Sequence, residues 1–272
     1  MRKYFAAVVV FALCTAPLRA ELKVTARMAA RQVANAPAGN DMIAAMIGPM
    51  VAQTYGGAEG IEMNVTAHED GRVRTDYVAS FMGMPAGSVV IQRTDGTSVG
   101  FDPKGQTWWK MVDPLADPKA AEMFAKVKPE VSAKRTAEFA TVAGLKAEHV
   151  SVAMQMAVPL PPSAAQLPPQ LLEMIPKEIK AEGHVWVSPT HAKYAKGMTK
   201  AFVQGPLLAI GLDKPINDLK ELIVRFVMNV SLLPGWELET VASKIFEEDV
   251  PDTVFEVPAG YKEIPMPTPN IR

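Results

Sequence analysis

Apolar and polar residues alternate along most of this chain, and a period of two restricts it to half-buried β-strands more tightly than any other feature. Ile61, Met63 and Val65 alternate with Glu62, Asn64 and Thr66. Asp70-Gly71 then turns the chain into Arg72–Tyr77, and Asp95-Gly96 separates Val89 and Ile91 from Val99 and Phe101. An Asp-Gly pair between alternating runs is a strong hairpin signal, because a type I′ turn needs positive φ at both central residues. After Lys104-Gly105 comes Thr107-Trp108-Trp109-Lys110-Met111, where adjacent tryptophans must point to opposite faces of a strand. Val150, Val152, Met154, Met156 and Val158 hold one face, and Leu238, Thr240 and Ala242 resume the pattern. A meander this long must curl to manage its edges. The expected fold class is therefore α+β, mainly antiparallel β, with the sheet curved into an unclosed β-barrel.

Helical periods interrupt the meander. Asn40 or Asp41 caps a helix whose stripe is Met42, Ile43, Met46, Ile47, Met50 and Val51, kinked at Gly48-Pro49. Asp117-Pro118 begins a second, with Ala120, Met123, Phe124 and Val127 on one side, and Ser188-Pro189 opens a third through Tyr194, Met198 and Phe202. Asn217 or Asp218 starts a fourth, where Leu219, Leu222, Ile223, Phe226 and Val230 form a wide stripe. In a single-sheet protein these helices are expected to cover or plug the concave face. The prolines between Pro159 and Pro176 mark one irregular excursion, since β-like segments continue on both sides.

The first residues indicate a compartment. Arg2 and Lys3 precede an apolar run from Tyr4 to Leu13, and Leu18-Arg19-Ala20 offers a small residue for cleavage, so residues 1–20 read as a secretory signal peptide cut after Ala20. The run is too short for a membrane span, which needs about 20 residues. Residues 21–272 are expected to form one domain, with helical inserts near 40–55 and 163–182. Cys14, the one cysteine, lies within the leader, so the mature domain has no thiol, disulfide or lipid anchor. Losing Arg2, Lys3 and Arg19 takes 28 basic residues to 25 against 29 acidic ones, a charge near −4. That sign argues against nucleic acid or an anionic membrane surface as the main partner.

The segments D-G-R-V-R-T-D, V-V-I-Q-R-T-D-G, G-F-D-P-K-G-Q-T-W-W-K-M, V-A-G-L-K-A-E-H-V, H-V-W-V-S-P and the ending D-V-P-D-T-V-F-E-V-P-A-G-Y occur in an order that resembles bacterial exported domains of unknown function. Those domains are similar to periplasmic lipoprotein carriers and receptors of the LolA and LolB type and to the sigma-factor regulator RseB. The resemblance spans most of residues 21 to 267. It implies a LolA-like half-barrel in the periplasm, with helices plugging or lidding an apolar cavity. In the ending, Pro251 and Pro258 cannot donate ladder hydrogen bonds, so Thr253–Val257 is expected as a short edge strand, followed by a turn at Ala259-Gly260 and a Tyr261 ring laid back on the sheet.

No catalytic constellation stands out, and the chain reads as noncatalytic, without cofactor or metal. His68, His149, His184 and His191 lack metal-ligand spacing, and His68-Glu69-Asp70 is expected in a solvated hairpin turn. The sixteen methionines are the remaining signal, because flexible thioethers repack around varied apolar partners. They suggest a cavity for an acyl chain or lipoprotein, with Met42, Met46, Met50, Met63, Val65, Trp109, Met154 and Met156 as its lining. The alternative is a module that grips an envelope protein. The pairs Met82/Met84 and Met154/Met156 have the i, i+2 spacing that two thioethers on one strand face would need for Cu(I), but no histidine or cysteine adjoins them.

Overall fold

A computed structural model describes residues 18–33, 42–111, 129–157, 177–203, 213–231 and 233–267. They form one open sheet of twelve strands. β1 (Leu18–Gln32) runs through its middle and is flanked by two meanders. On one side β2 (Ile61–Ala67), β3 (Val73–Tyr77), β4 (Val89–Gln92), β5 (Ser98–Asp102) and β6 (Thr107–Lys110) step outward in chain order. On the other, β7 (Glu130–Val142) is outermost, and β8 (Leu145–Ala157), β9 (Glu178–Ser188), β10 (Leu222–Val230) and β11 (Trp236–Pro251) step back inward until β11 pairs with β1. These pairs are all antiparallel; a two-residue strand, β12 (Lys262–Glu263), adds to β6 in parallel. The unclosed, mainly antiparallel sheet agrees with the alternation in the sequence. Both Asp-Gly turns form, with Gly71 and Gly96 at φ 93° and 87°.

α1 (Met42–Thr54) carries Pro49 inside it, and α2 (Ala195–Phe202) follows a 3₁₀ turn at Ala192–Tyr194. α2 buries Ala195, Gly197, Met198, Thr199, Ala201 and Phe202, and it touches β2, β3 and β10. β10 stands apart from the β2–β3 pair, across β1 and β11, so one short helix meets both only if the sheet curves around it. α2 therefore plugs the inner face. Gly197 permits the close seating: a Cβ there would stand 2.8 Å from a Val73 methyl. No helix among the described residues is long and apolar enough to cross a membrane. The helix expected from Asp117 lies outside the described residues, as do residues 163–176 of the second insert, while 178–182 of that insert are strand.

The segment expected as a fourth helix is β10. Its burial is nearly continuous: Leu222, Ile223 and Val224, then Phe226, Val227 and Met228. A central strand between two neighbours, covered on both faces, produces an unbroken apolar run that also fits a helical stripe. The β-branched residues within it, Ile223, Val224, Val227 and Val230, favour the strand, and a short helix, α3 (Asp213–Asn217), precedes it.

The ending also differs from expectation. Asp252–Phe255 is a 3₁₀ turn rather than an edge strand, and Phe255 packs with Val89, Ile91, Val99 and Phe101 on the outer face of β4 and β5. Denied ladder donors by its prolines, the segment leaves the sheet plane and covers a face. Gly260 supplies the expected turn at φ 87°, and Tyr261 lies edge-on to Phe101 at 5.7 Å. Trp109 points into the main core, fully buried, while Trp108 packs on the outer cluster.

Candidate functional site

The residues singled out as a cavity lining fall into two groups. Met63, Val65, Trp109, Met154 and Met156 are all core residues, at most 4% exposed, and pack with α2 in one cluster. Met42, Met46 and Met50 lie on α1, and the Met50 side chain is exposed. Of the two methionine pairs, Met154 and Met156 share the core face, whereas Met82 is exposed and Met84 buried, because a tight turn joins Phe81 to Met84.

The open space lies at another point, where β10 turns into β11. A depression of about 500 Å³ is lined by Val33, Asn229, Val230, Leu233, Pro234 and Trp236, with Lys180 and Glu182 of β9 on its polar side. Its walls are tied by backbone bonds. The Val33 amide donates to the Gly235 carbonyl (2.7 Å) and the Ser231 amide to the Lys180 carbonyl (2.8 Å), while the Lys180 amide donates to Ser231 Oγ (2.9 Å). α1 adjoins this rim: a Cβ on Gly48 would lie 2.4 Å from the Trp236 indole nitrogen, so the bare backbone of the helix rests against that ring. Val33, at the end of β1, and Met50 are two of the six large apolar side chains that are exposed among the described residues. The available signal was Leu233-Pro234-Gly235-Trp236, large apolar groups around a turn, where solvated residues are usual.

Below the depression, Glu239 is 5% exposed and ion-paired to Arg31 and Arg225. Arg225 donates through Nε to Glu239 Oε1 at 2.8 Å, and its guanidinium stands 4.4 Å over the Trp186 ring. This network holds β1, β10 and β11 in register beneath the rim without presenting a free charge to it.

A second polar concentration lies on the lower part of β1. His68, expected in a solvated turn, is 3% exposed and faces Glu21, itself 1% exposed. The β1–β2 register explains this: Leu22 pairs with Ala67, so the next position sets Glu21 across from His68. Burial pushes the Glu21 carboxyl up to about 7 against the pull of Arg72, helped by Asp252, Asp70 and Glu69. No family model and no curated protein matches this chain.

Proposed function

We propose that the protein is a noncatalytic binder or carrier of a lipophilic group, an acyl chain or the lipidated end of a protein, and that it works in the periplasm as a LolA-like half-barrel. The observation that carries this reading is the depression beside α1. Its volume falls within the range of small-ligand sites, roughly 300–1,000 Å³, and it joins an apolar wall of Trp236, Leu233, Val230 and Val33 to a cation at Lys180. A chain laid against that wall buries methylenes at about 0.8 kcal/mol each. The charged groups of the lining are Lys180, ion-paired to Glu178 at 3.7 Å, and the carboxylates Glu182 and Glu237, so the apolar wall rather than an anionic head supplies the binding. The inner-face residues Met63, Val65, Trp109, Met154 and Met156, at most 4% exposed, then hold the scaffold.

The test is uptake of a fluorescent fatty-acid probe by solvent-stripped protein, together with mass spectrometry of the solvent extract. One probe per chain is expected, with affinity reduced about tenfold in Trp236→Ala and unaltered in Val131→Ala on the far edge. A chain that yields no lipid and takes up no probe overturns the reading.

A protein partner is the second reading, and the outer edge of β7 favours it. Among the described residues nothing pairs with that edge, and Phe139 on it is exposed. Such an edge accepts an added strand. A proline placed at an outward-facing amide of β7 that abolishes capture of an envelope protein, while leaving probe uptake intact, would move the function there.

A further inference from the structure

Three side chains from separate parts of the sequence converge at one end of the sheet. β2, β1 and β11 are consecutive neighbours, and β2 and β11 both finish where β1 starts. His68 immediately follows β2, Glu21 lies near the start of β1, and Asp252 opens the 3₁₀ turn after β11. One ligand atom from each lies within 4.8 Å of the other two. We propose that Glu21, His68 and Asp252 bind one divalent transition-metal ion of the Zn²⁺, Co²⁺ or Mn²⁺ type.

Four observations support the site. Glu21 Oε2 is fully buried and has no hydrogen-bond partner among the described residues. A buried carboxylate oxygen left unpaired costs several kcal/mol unless something else satisfies it, and a cation between the three groups does so. Next, His68 is pre-oriented: the Asp70 amide donates to its Nδ1 (3.0 Å) and Asp70 Oδ1 stands 2.9 Å from the same nitrogen, which turns Nε2 toward Glu21 Oε1, 3.5 Å away. A carboxylate behind a ligating imidazole is the usual outer support of such sites. Third, Arg72 fixes Asp252 by a bond from Nη2 to Oδ1 of 3.1 Å and binds Asp70 through Nε at 2.8 Å. With the charges of Arg72 and Asp70 offsetting each other, Glu21 and Asp252 leave two negative charges for a dication to neutralise. Last, Phe255 shields the cluster, edge-on to His68 at 6.0 Å and under the Arg72 guanidinium at 4.9 Å.

The donor set selects the ion. One imidazole and two carboxylates suit borderline divalent ions rather than Cu(I), which prefers sulfur. Ligands at roughly 2.0–2.2 Å from a metal require the three atoms to draw together by about an ångström, a movement within reach of the Glu21 and Asp252 side-chain torsions. Three protein ligands leave a coordination position for water.

The test uses the whole chain after chelator treatment. Titration with Co²⁺, followed by its visible absorption, is expected to saturate at one ion per chain and to be reversed by Zn²⁺. His68→Gln and Asp252→Asn should each weaken binding at least tenfold, with Asp249→Asn unchanged. No uptake by the unmutated chain, or uptake unchanged in both ligand variants, overturns the proposal. Should a variant fail to fold, the unmutated chain still decides: Co²⁺ must shift the His68 ring resonances and leave those of His149, His184 and His191 in place. A shift of the others with His68 unmoved counts against the site.

Discussion

Replacing Trp109 with alanine is expected to lower the unfolding free energy by about 3–5 kcal/mol, the usual cost of deleting a large buried aromatic. Trp109 is 0% exposed and lies across Gly100, its partner on β5. A Cβ at Gly100 would come within 2.3 Å of the Trp109 indole nitrogen, so the ring fills the space that a side chain there would take. The glycine and the tryptophan are one packing unit. Gly100→Val should therefore also be strongly destabilising, and combining it with Trp109→Ala should cost much less than the sum. Trp108→Ala, on the half-buried outer cluster, should cost visibly less. Urea denaturation of the four variants checks this, and equal losses from Trp108→Ala and Trp109→Ala would contradict the assignment of faces.

The second large effect depends on pH. The Glu21 carboxyl is raised from 4.5 to about 7 by burial, with Arg72 opposing and Asp252, Asp70 and Glu69 reinforcing the shift. His68 also faces it, and Tyr194, whose hydroxyl donates to the Ala20 carbonyl, lies within electrostatic reach. Between these values the folded chain holds a proton that the unfolded chain has released. The contribution of Glu21 to stability is thus full below pH 4.5 and is lost as pH rises toward 7. At 1.36 kcal/mol per unit the loss is about 3 kcal/mol. In chelator-containing buffer, denaturation at a series of pH values should show this decline, and Glu21→Gln should flatten it. A wild-type slope retained in Glu21→Gln would locate the titration elsewhere.

The strands at Ile61–Val65 and Val150–Met156 were legible because one face is buried and alternation there reports burial directly, whereas β4 and β5, buried on both faces, were legible from the Asp95-Gly96 turn between them. β10 was not, since a strand covered on both faces loses its alternation and imitates a helical stripe. The ending was legible in its turn at Ala259-Gly260 and in the placing of Tyr261, yet not in leaving the sheet plane, because proline spacing reports missing donors and not the destination of Phe255. The polar cluster was hidden for a different reason. Glu21, His68 and Asp252 have no spacing in common, and only the pairing of β1 with both β2 and β11 brings them together. Sequence reading placed His68 in a turn, which is correct for its neighbours Glu69 and Asp70, but the turn folds over the start of β1. The methionines show the limit of composition: Met63, Met154 and Met156 look alike in sequence to Met50, and burial separates them.

The proposed acyl-chain site is tested most directly by photo-crosslinking. A diazirine fatty acid bound to the intact chain, irradiated and mapped by peptide mass spectrometry, is expected to label residues 229–237 and the α1 segment 42–54. Adducts concentrated on Met154, Met156 or Met63 would place the chain inside the sheet, behind α2, and contradict the account given for the depression beside Trp236.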